Sequence, residues 1–146
     1  MAAADVTARA FLTAFRELSM EIEHVAMNVL DPVGMAGWYV EHLGMRVAFG
    51  MDEPPYTHFL ADGPDHVLLE IYNNPTDPAP DYAGQNPLRF HIAFTVDDPA
   101  AERDRLTAAG ATFVEDVHLD DGSFLVMLRD PWGMPVQLCR RGRPMV

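Results

Sequence analysis

Residues 91–99 read HIAFTVDDP, and residues 24–32 read HVAMNVLDP. Five of the nine positions are identical: the histidine, alanine, valine, aspartate and proline. The two histidines lie 67 residues apart (91 − 24), and that offset can be followed along the chain. Asp31-Pro32 falls on Asp98-Pro99, Pro64 falls on Pro131, and Glu70 in HVLLEIY falls on Gln137 in GMPVQLC. The register slips by one where Gly44 meets Gly110 and recovers by the last strand. A chance match of nine residues does not hold register over a whole unit, so the repeat reads as a duplication. The modules are 21–73 and 88–141, forming one domain over 21–141. The joining stretch 74–87 is rich in proline and asparagine, hence extended and poor in regular structure.

Both modules have the same internal order. A short alternating run comes first, at 22–29 or 89–96. Asp31 or Asp98 then caps a helix whose first position is Pro32 or Pro99, where a missing N–H costs nothing. In VGMAGWYVEHLG (33–44), Ala36, Val40 and Leu43 share one helix face. Gly44 and Gly110 read as left-handed helix terminators. Three strand-like runs follow, at 45–50, 56–61 and 66–72, or at 112–118, 123–129 and 134–140. ADGPD, DDG and DPWG serve as turns. The expected fold class is α+β: two paired β-α-β-β-β modules forming an open, cavity-lining sheet. Residues 1–20 precede the repeat as a helical extension, with Phe11, Phe15 and Leu18 on one stripe over 5–19. That stripe suits packing on the chain's own sheet or a dimer clasp.

Composition removes several function classes. Nearly half of the 146 residues are hydrophobic, which suits a globular chain. No apolar run approaches the roughly 18 residues of a membrane span. Asp5, Arg9, Arg16 and Glu17 interrupt the start, which therefore lacks a signal peptide's apolar stretch; the expectation is a cytoplasmic protein. A net charge of −12 argues against a nucleic-acid partner. All ten basic residues are arginine, which excludes a Schiff-base or P-loop lysine. Neither serine, Ser19 or Ser123, stands in a nucleophile-elbow motif. The single cysteine, Cys139, allows no internal disulfide.

Strand alternation separates two faces. His24, Ala26 and Asn28 share one face, as do His91, Ala93 and Thr95, while the intervening Val, Met, Ile and Phe residues form the apolar face. Glu70 lies with Leu68 and Tyr72, and Gln137 with Pro135 and Cys139. Two such sheets related by pseudo-symmetry would bring His24, Glu70, His91 and Gln137 together. Two imidazoles, a carboxylate and an amide oxygen suit a divalent transition metal: Zn, Ni, Co, Mn or Fe. Either pair alone would be unremarkable on a strand. Four at equal offsets and on matching faces favour a metal site.

IEHVAMNVLDP, WYVEHLGMRV, HIAFTVDDP, LTAAGATF and especially RDPWGMPVQL resemble the vicinal oxygen chelate superfamily, the glyoxalase I, bleomycin-resistance and extradiol-dioxygenase group. The resemblance covers about 20 to 141. It implies paired β-α-β-β-β modules around an open cavity, a homodimer, and a metal held by the first and last strands of both modules. By position these ligands are His24, Glu70, His91 and Gln137. One departure is that Gln137 stands where the family usually ends on glutamate, leaving Glu70 as the single carboxylate.

Among the remaining polar residues, His58 is the candidate second-shell base, and Glu70 is a base if it leaves the metal. Asn28, Tyr56, Tyr72 and Thr95 are candidate substrate contacts. The leading expectation is a metal-dependent lyase or isomerase acting on a small molecule through two vicinal oxygens. The first alternative is an Fe(II) extradiol-type dioxygenase using His24, His91 and Glu70. The second is a metal-free protein that sequesters a small ligand.

Overall fold

The computed structural model describes residues 20–66 and 68–145. The extension expected as a helix over 5–19 lies outside the described residues. The elements run β1 (His24–Asn28), α1 (Pro32–Leu43), β2 (Arg46–Gly50), β3 (His58–Ala61), β4 (Leu68–Tyr72), β5 (Ile92–Thr95), α2 (Pro99–Ala108), β6 (Thr112–His118), β7 (Phe124–Arg129) and β8 (Pro135–Arg140). The fold is α+β, with two mixed four-stranded sheets ordered β1-β4-β3-β2 and β5-β8-β7-β6. In each, the first strand pairs in parallel with the last, and the other pairs are antiparallel. Residues 74–87 carry no helix or strand, only turns and bends.

The helix starts follow from local chemistry. Asp31 accepts from the Gly34 N–H at 2.9 Å, and Asp98 accepts from the Ala100 and Ala101 N–H groups, both at 3.1 Å. Pro32 and Pro99 stand at the first helical positions. Gly44 ends α1 at φ +69°, whereas α2 is capped by Ala109 and Gly110 follows at φ +105°. The buried stripe of α1 is Met35, Ala36 and Tyr39. Val40, expected on that stripe, is 40% exposed, because the stripe is centred one residue further round the helix.

The core lies between the sheets and their helices. Leu60, Ile71 and Tyr39 are fully buried in the first module, as are Val126, Leu128 and Leu138 in the second. Each such side chain is worth roughly 1.5–3 kcal/mol of burial. The modules join through these helix-side surfaces. Trp38 Nε1 donates to the Ala109 carbonyl at 2.9 Å, and Arg105 donates to the His42 carbonyl at 2.7 Å. Tyr39 Oη donates to Asp130 Oδ2 at 3.0 Å. Ile92 and Phe94 of β5 pack against the first module's core.

Candidate metal and substrate site

Register fixes which side chains share the outer face of the first sheet. Ala26 pairs with Glu70, Glu70 with Phe59, and Phe59 with Phe49. His24, two residues before Ala26, projects to the same side. Its Nε2 lies 3.3 Å from Glu70 Oε2, and its ring meets Phe59 edge-on at 5.6 Å between centroids. His24 Nδ1 is bonded to the Glu23 carboxylate. That bond raises the His24 pKa above its ordinary value, with the charges of Glu23 and Glu70 adding and desolvation opposing. Glu70 and Tyr72 also line a cavity of about 490 Å³ with Pro54, Pro55, Thr57, Asn74 and Pro75.

The second sheet repeats the plan with different chemistry. Ala93 pairs with Gln137 and Gln137 with Met127. Gln137 Oε1 accepts from the Cys139 thiol, whose Sγ lies 3.2 Å away. Burial pushes that thiol's pKa up, with Arg141 opposing. His91 Nδ1 lies 3.1 Å from the Pro87 carbonyl. Both histidines therefore engage Nδ1 with an oxygen, which leaves Nε2 as the ring nitrogen for a ligand; in His24 it meets Glu70 Oε2 at 3.3 Å. This is the state in which a histidine binds a metal. The donor set of two imidazoles, a carboxylate and an amide oxygen fits a divalent ion.

The chain brings His24 and Glu70 together but does not bring His91 to them. Among the described residues, no three His, Cys, Asp or Glu side chains cluster as a metal site. Packing supplies the reason. Ile92 and Phe94 face the first module's core, so alternation turns His91, Ala93 and Thr95 away from it.

Other expected site residues separate in the same way. His58 pairs with the buried Ile71, placing it on the opposite face from Glu70, and its Nδ1 lies 2.8 Å from the Tyr56 carbonyl. A β-bulge between Val47 and Phe49 sets the neighbouring register. His58, expected as a second-shell base, thus lies on the sheet face opposite Glu70. Asn28 faces outward, but its amide is already used: Nδ2 donates to the Asp77 carbonyl at 2.7 Å and Oδ1 accepts from the Asn74 N–H at 2.9 Å. These bonds anchor the connecting segment to the end of β1. Tyr56 holds a left-handed backbone at φ +56° in the loop beside the Glu70 cavity. Such a conformation is uncommon for a bulky residue and clusters at functional sites. Tyr72 lines that cavity, and Thr95 is exposed on the second sheet beside a cavity of about 530 Å³.

Sequence reasoning missed Glu23, Phe49 and Phe59 beside the His24–Glu70 pair. Their signals were present, since Glu23 precedes the histidine and the phenylalanines fall in the runs read as strands. What was lacking was the cross-strand register.

The description "Glyoxalase/Bleomycin resistance protein/Dioxygenase superfamily" matches residues 21–138. The solved structure of SMU.1112c is 31% identical, with a TM-score of 0.64, covering 84% of this chain and 99% of its own. A glyoxalase family protein from Enterococcus faecalis is 29% identical, with a TM-score of 0.61, covering 82% of this chain and 97% of its own. TnmS3, an antibiotic binding protein from Streptomyces sp. CB03234, shares the fold at 17% identity and a TM-score of 0.66, covering 85% of this chain and 98% of its own. No curated protein matches the chain. Its duplicated β-α-β-β-β modules and the match over 21–138 place the chain in the glyoxalase/bleomycin resistance protein/dioxygenase superfamily.

Proposed function

We propose that this protein is a metal-dependent lyase or isomerase acting on a small molecule through two vicinal oxygens. The observation that carries the reading is the His24–Glu70 pair: Nε2 and Oε2 are 3.3 Å apart, with His24 Nδ1 held by Glu23. His24 and Glu70 would supply half of the ligand set. His91 and Gln137 match them in position on the second sheet, turned away from the first module's core. A homodimer therefore completes the set, with the partner subunit's His91 and the partner subunit's Gln137 facing His24 and Glu70. When bound, a divalent ion supplies Lewis-acid polarisation of a substrate oxygen.

The chain's own groups do the rest. His24 and Glu70 fix the position of the substrate oxygens, and Tyr72 and Thr57 border the space beside them. Released from the ligand set, Glu70 would take a proton from the carbon next to a polarised carbonyl. Tyr56 and the adjoining prolines limit access on that side. No described helix is long and apolar enough to cross a membrane.

The test is elemental analysis of protein purified without chelators and supplied in turn with Zn, Ni, Co, Mn and Fe(II). The expected result is metal uptake that falls at least about tenfold in affinity in His24→Ala and Glu70→Ala proteins. Full metal content in both variants, or no uptake by the wild type, would overturn the reading. A second reading, metal-free small-molecule binding, draws on the likeness in fold to TnmS3, an antibiotic binding protein. It predicts ligand binding that is unchanged by chelator treatment.

A further inference from the structure

The row that crosses the first sheet is Ala26–Glu70–Phe59–Phe49. Strands lie roughly 4.8 Å apart, so Phe59 is one strand from Glu70 and Phe49 about 10 Å from it. Phe59 stands edge-on to His24 at 5.6 Å, and Phe49 meets Phe59 at 6.2 Å. Phe49 is 55% exposed. An isolated exposed phenylalanine calls for no explanation. Two in contact with each other, the inner one also against His24, form a track leading away from the candidate ligand pair.

The corresponding row of the second sheet is Ala93–Gln137–Met127–Glu115. If the fold itself required an aromatic track, the duplication would have kept it in both modules. The charge on the first face also selects. Arg46 lies on that side but is ion-paired with Asp65 at 2.8 Å, while Glu23 and Glu70 are carboxylates. Among the described residues named on this face, no cation is left unpaired to receive a phosphate or carboxylate tail.

We propose that Phe59 and Phe49 are specificity-determining residues that select a substrate whose non-chelating part is an uncharged aryl group. The proposal rests on the reading of His24 and Glu70 as the pair that meets the substrate's oxygens. A ring attached directly to the oxygen-bearing carbons falls beside Phe59, and its far edge reaches Phe49. Ring–ring contact and burial then act on the part of the substrate that takes no part in the chemistry.

The experiment compares 2-hydroxyacetophenone with hydroxyacetone by titration calorimetry on Co²⁺-loaded and metal-free protein. Both are neutral α-hydroxyketones, differing in phenyl against methyl. Wild type is expected to prefer the aryl ketone by about tenfold or more. Phe59→Leu and Phe49→Ala are expected to bring the ratio to within about threefold, through weaker binding of the aryl ketone. A wild-type ratio near one overturns the proposal, as does a ratio retained in both variants. A para-carboxylated aryl ketone that binds more tightly than its parent overturns the uncharged assignment. If Phe49→Ala instead dissociates an oligomer, the track is an interface between copies and the proposal fails. Failure of the metal reading shows separately, as absent Co²⁺ uptake, and the metal-free titration still decides the aryl preference.

Discussion

Asp130 is 3% exposed and accepts three hydrogen bonds. Oδ1 takes the Trp132 N–H at 2.9 Å and the Met134 N–H at 2.8 Å, and Oδ2 takes the Tyr39 hydroxyl at 3.0 Å. The first two close the DPWG turn, and the third ties that turn to α1 of the other module. Tyr39→Phe leaves Oδ2 without its side-chain partner in a buried setting. Urea unfolding at neutral pH should show a loss of about 1–3 kcal/mol. Burial raises the Asp130 carboxyl above its ordinary 3.8, against opposing hydrogen bonds from Met134, Tyr39 and Trp132. The folded chain thus holds this proton more tightly than the unfolded one. The group's contribution is complete below the unfolded value and is lost as pH rises through the folded value. Relative to Asp130→Asn, wild-type stability should fall as pH climbs from about 3.8 toward neutrality and then level off. A wild-type advantage that grows over that interval contradicts the assignment. The sequence identified the turn and its tryptophan but not this bond, because Tyr39 and Asp130 are 91 residues apart and belong to different modules.

The elements were more legible than their contacts, and their ends show why. Caps act within three or four residues, so Asp31-Pro32 and Asp98-Pro99 announce both helix starts. Asp98→Ala removes the acceptor for two N–H groups and should cost about 1 kcal/mol in thermal or urea unfolding. Gly44 ends α1 at φ +69°, and a Cβ there would meet nothing within 4 Å. Gly44→Ala therefore isolates the backbone penalty, expected at about 1–2 kcal/mol, without a steric component. A loss far below that would mean that the helix end rearranges. Strand faces were read correctly for His24, Glu70 and Gln137, which alternate regularly with core residues. The face of His58 was not legible, because it pairs with Ile71 and no local pattern reports a cross-strand partner. The hydrogen bonds of Asn28 were hidden for a different reason: the segment that engages its amide lies 46 to 49 residues downstream.

At the scale of the molecule, the internal period exposed the duplication, but it does not dictate how two like modules meet. Alternation says that each sheet has an apolar and a polar face, and both back-to-back and face-to-face pairings satisfy that rule. The choice is made by side chains such as Ile92, Phe94 and Trp38, which join the modules on the helix side and leave the two histidine faces apart. If a second copy completes the site, every site combines His24 from one subunit with His91 from the other. Mixing His24→Ala protein with His91→Ala protein, after exchange of subunits, then has an arithmetic consequence. Random pairing makes about half of the dimers mixed, and each mixed dimer holds one intact site and one site lacking both histidines. Metal content should rise from near zero in either variant alone to about a quarter of wild type in the mixture. A site built within a single chain gives no recovery at any mixing ratio, since each chain lacks one histidine wherever it pairs. Partial recovery that disappears when subunit exchange is blocked by cross-linking before mixing would assign the recovered sites to the interface between copies.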